Sequence, residues 1–136
     1  MNNFKKFIIG IIFLIFLNII FNKNNINSFT VNTIIANTDE DKKRGLMFKK
    51  HLGFNDGMLF HNINSVWMKN TYIPLDVIFL DNNYIVIGYV EDTIPLSLKS
   101  ISINKNFNHI LEVNSGFVRQ NKIKIGNKFN PIIIKI

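Results

Sequence analysis

Hydrophobic residues follow two patterns along this chain, one long continuous run near the N-terminus and several short runs after it. The first run covers residues 7–21 and is interrupted only by Gly10 and Asn18. Beyond it, residues 29–36 alternate apolar and polar positions, which is the pattern of a half-buried β-strand. The patterns therefore divide the chain into residues 1–27, a hydrophobic segment with a short linker, and residues 28–136, a single β-rich domain.

Seven short runs in the domain predict β-strands. Residues 81–83, Asp-Asn-Asn, separate the fourth run from the fifth and predict a hairpin, because both residue types tolerate turn conformations. Pro131 favours an edge position for the last strand. The predicted strands are residues 29–36, 57–60, 66–68, 76–80, 84–90, 110–113 and 129–136.

Two segments between these strands predict short helices. Thr38 offers an N-cap oxygen, acidic residues 39–41 fill the first turn, and Gly45 is a natural stop. Ser115 is expected to cap a second helix that ends at Gln120. We therefore expect a mainly β fold, a small barrel or sandwich of about seven strands with two short helices, preceded by the N-terminal hydrophobic segment.

The N-terminal run has the layout of an export signal, since Lys5 and Lys6 precede an apolar stretch. Residues 22–27 offer no small-residue cleavage site, so an uncleaved signal anchor is favoured over a cleaved signal peptide, and both over a buried core helix. The two lysines predict that the domain lies outside the cytoplasm, on the periplasmic or extracellular side. If the signal is cleaved, the domain is secreted.

Composition and charge exclude several classes of function. The chain has no cysteine, which excludes disulfides, thiolate metal sites and thiol nucleophiles. Its net charge is +7, but residues 28–136 carry 13 basic and 9 acidic side chains without a basic stripe, so we expect no nucleic-acid partner. No phosphate-binding glycine loop occurs, and His51, His61 and His109 lack metal-ligand spacing. We predict no cofactor and no metal.

Four motifs follow one another along the domain: residues 44–48 (Arg-Gly-Leu-Met-Phe), 57–60 (Gly-Met-Leu-Phe), 67–76 (Trp-Met-Lys-Asn-Thr, then Pro-Leu-Asp) and 111–116 (Leu-Glu-Val-Asn-Ser-Gly). With these motifs in this order, the domain resembles the prokaryotic family known as domain of unknown function 192. The resemblance implies a compact, mostly β domain, often with an export signal and with no established activity. The chain departs from the family where Pro95 is followed by Leu96 rather than cysteine, and where Asn127 replaces the aspartate of a late turn.

Polar and aromatic side chains inside the motifs are the candidate ligand-binding residues. One interpretation is structural: Lys69 pairs with Asp76 on the next strand, Asn70 closes the turn, and Trp67 packs in or against the core. The other is a polar mouth beside Trp67 that holds a ligand. For Arg44, an ion pair with Glu112 and binding of an anionic ligand are both open. The candidates are Arg44, Trp67, Lys69, Asn70, Asp76 and Glu112.

Two functions of different class compete at this point. We favour a membrane-tethered or exported binding or accessory module without catalytic residues, in contact with the membrane through its N-terminal segment and with an unknown small molecule or envelope protein. The alternative is a small hydrolase-like enzyme in which Asp76 and Glu112 act as acid and base beside Arg44 and Lys69. A pocket where these groups converge would favour the enzyme.

Overall fold

A computed structural model describes residues 1–23 and 26–134 of the chain. The last two residues of the strand predicted at 129–136 lie outside the described residues. The elements, in chain order, are α1 (Asn3–Lys23), β1 (Ser28–Ala36), α2 (Asp39–Arg44), β2 (Asp56–His61), β3 (Leu75–Leu80), β4 (Val86–Val90), β5 (His109–Asn114), α3 (Phe117–Gln120) and β6 (Lys128–Ile133).

The strands form one six-stranded mixed sheet in the order β4-β3-β5-β2-β1-β6. Strand β1 pairs in parallel with both β2 and β6, whereas the other pairs are antiparallel, including the predicted hairpin of β3 and β4. The mainly β prediction is confirmed. The prediction left a barrel and a sandwich open, and the barrel is not confirmed because the sheet is not closed. Within the described part of the chain, one isolated bridge joins Ile85, the residue before β4, to Lys128 of β6.

The third predicted strand, residues 66–68, does not join the sheet. Val66 forms an isolated bridge with Ile101, and the segment then turns at Asn70, whose φ is 53°. Met68 alone in this segment is completely buried. An apolar run with no neighbouring strand to pair with becomes an irregular loop that inserts one side chain into the core.

The first short helix forms as its local sequence predicts. Thr38 caps α2 by accepting a hydrogen bond from the Asp41 backbone N–H, and the Asp41 carboxylate accepts one from the Thr38 N–H in return. These hydrogen bonds lower the pKa of Asp41. The second helix also forms, but its N-cap is Gly116 in the left-handed conformation, and the Ser115 hydroxyl donates to the carboxylate of Asp92 instead.

The sheet separates two hydrophobic clusters, because side chains alternate between its faces. On one face, Leu59, Ile78 and Leu111 pack with Phe117 of α3. On the other face, Phe60, Val77, Phe79 and Ile110 pack with Leu46, which follows α2. Because both faces of the sheet are covered, every residue of β3 is buried and all of them except Asp76 are apolar.

Helix α1 contains the N-terminal hydrophobic run. Its 21 residues include a window, Asn3–Ile20, that is long and apolar enough to cross a membrane, and none of this window is buried against the rest of the protein. A helix of this kind at the N-terminus is compatible with a signal sequence or an anchor.

Candidate functional site

Strand β5 places Glu112 in the interior of the face that carries α2. Its neighbours in register are Met58 of β2 and Val77 of β3, both apolar and buried. Only 4% of the Glu112 surface is exposed. An acidic side chain in such surroundings needs either a partner or the neutral form, because an isolated buried charge is strongly disfavoured.

The end of helix α2 leaves open space beside this carboxyl group. Gly45 follows the helix with φ 50° and ψ −132°, a conformation that side chains disfavour. A Cβ atom at this position would lie 3.4 Å from the Phe60 ring and 4.0 Å from Oε2 of Glu112. Gly45 therefore permits the turn at the end of α2, and its lack of a side chain leaves space next to Glu112.

A cavity of about 90 Å³ occupies this space. Glu112 and Phe60 lie at its floor, and Trp67 lines it from the loop before β3. The last turn of α2 contributes three cationic residues to its rim, so the cavity combines a buried acid with a basic entrance. The rim residues are Lys42, Lys43 and Arg44, and the remaining lining includes Met47, Ile63, Ser65, Val66 and Thr71.

Burial raises the pKa of Glu112 to about 8, so the carboxyl group is mainly protonated at neutral pH. Within the described residues, no basic group lies within ion-pair distance of it, and the predicted Arg44–Glu112 pair is therefore wrong. Arg44 is exposed at the rim instead. A protonated carboxyl facing a cavity is a hydrogen-bond donor as well as an acceptor.

Trp67 lies at the surface rather than in the core. Its exposed fraction is 45%, and the Nζ atom of Lys69 lies 5.0 Å from the centre of its ring, in a cation–π contact. Of the two positions expected for Trp67, in the core or against it, the structure excludes the first, and the neighbouring Met68 is the residue in the core. Since Trp67 is exposed and lines the cavity, its ring is available to a ligand.

Asp76 has a structural role on the opposite face of the sheet. Its two carboxylate oxygens accept hydrogen bonds from the backbone N–H groups of Asp92 and Val118, each at 3.0 Å. These bonds attach the loop after β4 and helix α3 to the sheet. The predicted Lys69–Asp76 pair does not form, because Lys69 is on the Trp67 ring and Asp76 is fully buried with other partners.

The sheet register also separates the two acids proposed as a catalytic pair. Asp76 lies opposite Val113, whereas Glu112 lies opposite the next residue of β3, Val77. Successive residues of a strand point to opposite faces, so the two carboxyl groups are on opposite sides of the sheet. They cannot act together on one bond as the hydrolase-like alternative requires.

Asn70 supports the site rather than lining it. It occupies the left-handed turn after Lys69, its backbone C=O accepts a hydrogen bond from the Phe48 N–H at 2.8 Å, and its side-chain Nδ2 lies 4.0 Å from the Met47 sulfur. These contacts join the Trp67 loop to the segment after α2. The structure thus brings Arg44, Trp67 and Glu112 together, and places Lys69 and Asn70 beside them.

Sequence reasoning missed two features. In the sequence, Lys42 and Lys43 resemble an ordinary helix end. Only the structure shows that the end of α2 lies beside Phe60 and Glu112 and so places the two lysines at the cavity rim. His61 and His109 lie opposite each other on β2 and β5, with their Nδ1 atoms 3.1 Å apart. Their spacing in sequence contains no trace of this contact, which results from strand pairing.

The six-stranded mixed sheet and the order of its motifs define a class of small, mainly β domains. The chain belongs to the family described as Uncharacterized ACR, domain of unknown function 192, whose sequence pattern it matches over residues 19–130. The resemblance drawn from the four motifs is therefore confirmed. No curated protein matches the chain.

Two solved structures are similar to this one. A protein of unknown function from Novosphingobium aromaticivorans is 30% identical with a TM-score of 0.67, and the match covers 72% of this chain and 73% of that one. A proposed transcription regulator from Sinorhizobium meliloti is 28% identical with a TM-score of 0.67, covering 71% of this chain and 78% of that one. Both similarities support the fold.

Proposed function

We propose that the protein is a non-catalytic binding module outside the cytoplasm, and that its ligand site is the cavity above Glu112. The observation that supports this most directly is the Glu112 carboxyl group itself. It is nearly fully buried, faces a cavity, and has no ionic partner among the residues described. Natural interiors rarely keep such a group unless it has a use, because burial of an acid is costly.

The surroundings of the carboxyl group support binding rather than catalysis. Asp76, the other buried acid, lies on the opposite face and is saturated by backbone hydrogen bonds. The cavity lining contains the hydroxyls of Ser65 and Thr71 but no histidine that could act as their base. Side chains that hold a ligand are therefore present, and the usual set for nucleophilic catalysis is not among them.

The proposed location follows from helix α1. An apolar helix with two lysines, Lys5 and Lys6, near its start, followed by a short linker and a domain, is the arrangement of a tethered exported protein. Tethering keeps the domain close to the membrane, so a modest affinity for a small molecule or an envelope protein is sufficient there.

The test is to identify what the purified protein carries. Native mass spectrometry of the whole chain, extracted from membranes in detergent, should show a bound small molecule that is lost in the Arg44→Ala variant. Arg119→Ala is the matched control, because Arg119 pairs with Glu91 and Asp92 on the surface, away from the cavity. Circular dichroism confirms that both variants are folded.

Two results would contradict the proposal. One is that Arg44→Ala and Arg119→Ala release the same molecule equally, which would place the ligand elsewhere. The other is turnover of a hydrolysable substrate that disappears in the folded Glu112→Gln variant, which would make the cavity an active site.

A further inference from the structure

A second cavity adjoins the one above Glu112 and differs from it in character. It measures about 290 Å³ and shares five lining residues with the first cavity, while Leu98 and Ser100 belong to the second cavity only. The shared residues are Lys42, Lys43, Ser65, Val66 and Trp67. The two cavities are therefore neighbouring compartments with Trp67 and the two lysines in common.

The smaller compartment suits a compact oxyanion. Its volume of about 90 Å³ exceeds the roughly 10–15 Å³ that one water molecule needs, so it has room for a small group such as a carboxylate. The cations of Lys42, Lys43 and Arg44 attract negative charge at its entrance, and Glu112 at the floor offers an O–H donor when it is protonated.

The larger compartment suits an apolar body. Val66, Trp67 and Leu98 supply most of its hydrophobic surface, and both Trp67 and Leu98 are exposed, at 45% and 69%. Exposed large apolar side chains beside a polar cavity gain free energy when a ligand covers them. A ligand with a charged head and an apolar body therefore matches both compartments together.

We infer that the site binds a monocarboxylate with a short aliphatic or aromatic body, its carboxylate in the Glu112 cavity and its body against Trp67 and Leu98. This inference rests on the proposed function, since it assigns a ligand class to the same site. A cationic ligand is disfavoured by the three basic rim residues, and a bare inorganic anion leaves the Trp67–Leu98 surface uncovered.

The test uses hexanoate, acetate, inorganic phosphate and hexylammonium as probes of the whole chain in detergent. Trp67 is the sole tryptophan of the chain, so its fluorescence reports directly on occupation of the site. Hexanoate should bind at least tenfold more tightly than acetate or phosphate, and hexylammonium should not bind. Leu98→Ser should weaken hexanoate and leave acetate unchanged.

The pH dependence separates donation by Glu112 from simple attraction to lysines. With a Glu112 pKa of about 8, the protonated fraction falls about tenfold between pH 7 and pH 9, and hexanoate affinity should fall by the same factor. Glu112→Gln keeps an N–H donor of similar shape, so it should still bind hexanoate and should lose this pH dependence. Calorimetry confirms the constants obtained by fluorescence.

Different failures have different meanings. Binding of hexylammonium in place of hexanoate, strengthened at pH 9 and lost in Glu112→Gln, overturns the inference and leaves a binding module for cations. Phosphate that binds as tightly as hexanoate overturns the inferred apolar body. If the co-purification experiment also finds no ligand and no probe binds, both the inference and the proposed function are wrong.

Discussion

At the scale of single residues, the two buried acids of this domain solve the same problem in different ways. Asp76 satisfies its carboxylate with two backbone N–H groups, whereas Glu112 has no comparable donors and its pKa rises to about 8. The first arrangement fixes a structure, and the second leaves a titratable group next to a cavity. The sequence places both acids in similar apolar motifs and does not distinguish them.

The raised pKa of Glu112 predicts that the domain becomes less stable as the pH rises from about 4.5 to about 8. The unfolded chain releases the Glu112 proton near 4.5 and the folded domain keeps it until about 8, so alkaline conditions favour unfolding across this range. At pH 7 the loss is on the order of 3 kcal/mol relative to pH 4. Urea denaturation at several pH values measures it. Glu112→Gln should remove this component of the pH profile, and an unchanged profile would show that Glu112 titrates normally.

Replacement of Asp76 tests its structural role. Asp76→Ala leaves the N–H groups of Asp92 and Val118 without acceptors in the interior, and we expect a loss of about 3 kcal/mol in the free energy of unfolding. Lys69→Ala is the informative control, because a buried Lys69–Asp76 pair would make both substitutions costly. We expect a change below about 0.5 kcal/mol for Lys69→Ala, as is usual at exposed positions. Equal losses in the two variants would contradict the observed hydrogen bonding.

At the scale of secondary structure, local features were predictable and non-local pairings were not. Helix α2 was predicted because its cap, first turn and stop all lie within residues 38–45, and the β3–β4 hairpin because its turn is short. The parallel pairings of β1 with β2 and β6 join segments that are far apart in sequence, and no local pattern encodes them. The candidate site shows the same division: Glu112 and Arg44 were identified, but their relation depends on where α2 packs on the sheet.

Gly57 shows how little space is left between β2 and its neighbouring strands. A Cβ atom there would lie 2.7 Å from the backbone oxygen of Glu112 and 2.9 Å from a methyl carbon of Val31. The glycine in the second motif therefore permits the close approach of neighbouring chain segments around β2. Its meaning in the sequence becomes clear only when the partners of β2 are known.

Strand pairing also brings His61 and His109 together. This pair predicts a second effect of pH on the stability of the domain, opposite in direction to the effect of Glu112. Desolvation lowers the pKa of both His61 and His109, and their 3.1 Å contact is unfavourable when both rings are charged. The folded domain therefore binds protons less readily than the unfolded chain, and stability should fall as the pH drops below about 6.5. Thermal denaturation between pH 7 and pH 5 in the Glu112→Gln background isolates this effect. His109→Asn should reduce it and His51→Asn, at an exposed position, should not; equal slopes in all three proteins would contradict it.

At the scale of the whole molecule, the proposed ligand site and the hydrophobic helix belong to separate parts of the chain, residues 28–134 and α1. The domain has its own two hydrophobic clusters, neither of which includes residues of α1. The apolar side chains of α1 between Phe4 and Ile20 are largely exposed to solvent. Exposed apolar surface of this extent is compatible with a signal sequence or a membrane anchor.

The location of the domain is therefore the prediction that concerns the entire chain. A reporter that is active only after export, fused after residue 136, should be active in the full-length protein and inactive when residues 1–27 are deleted. Membrane fractionation should place the full-length protein with the membranes, since the linker lacks a small-residue cleavage site. Replacing both Lys5 and Lys6 by glutamate should reduce export, because positive charges near the start of an apolar helix favour a cytoplasmic N-terminus. Activity of a reporter that functions only in the cytoplasm, at the same fusion point, would show that the orientation is reversed.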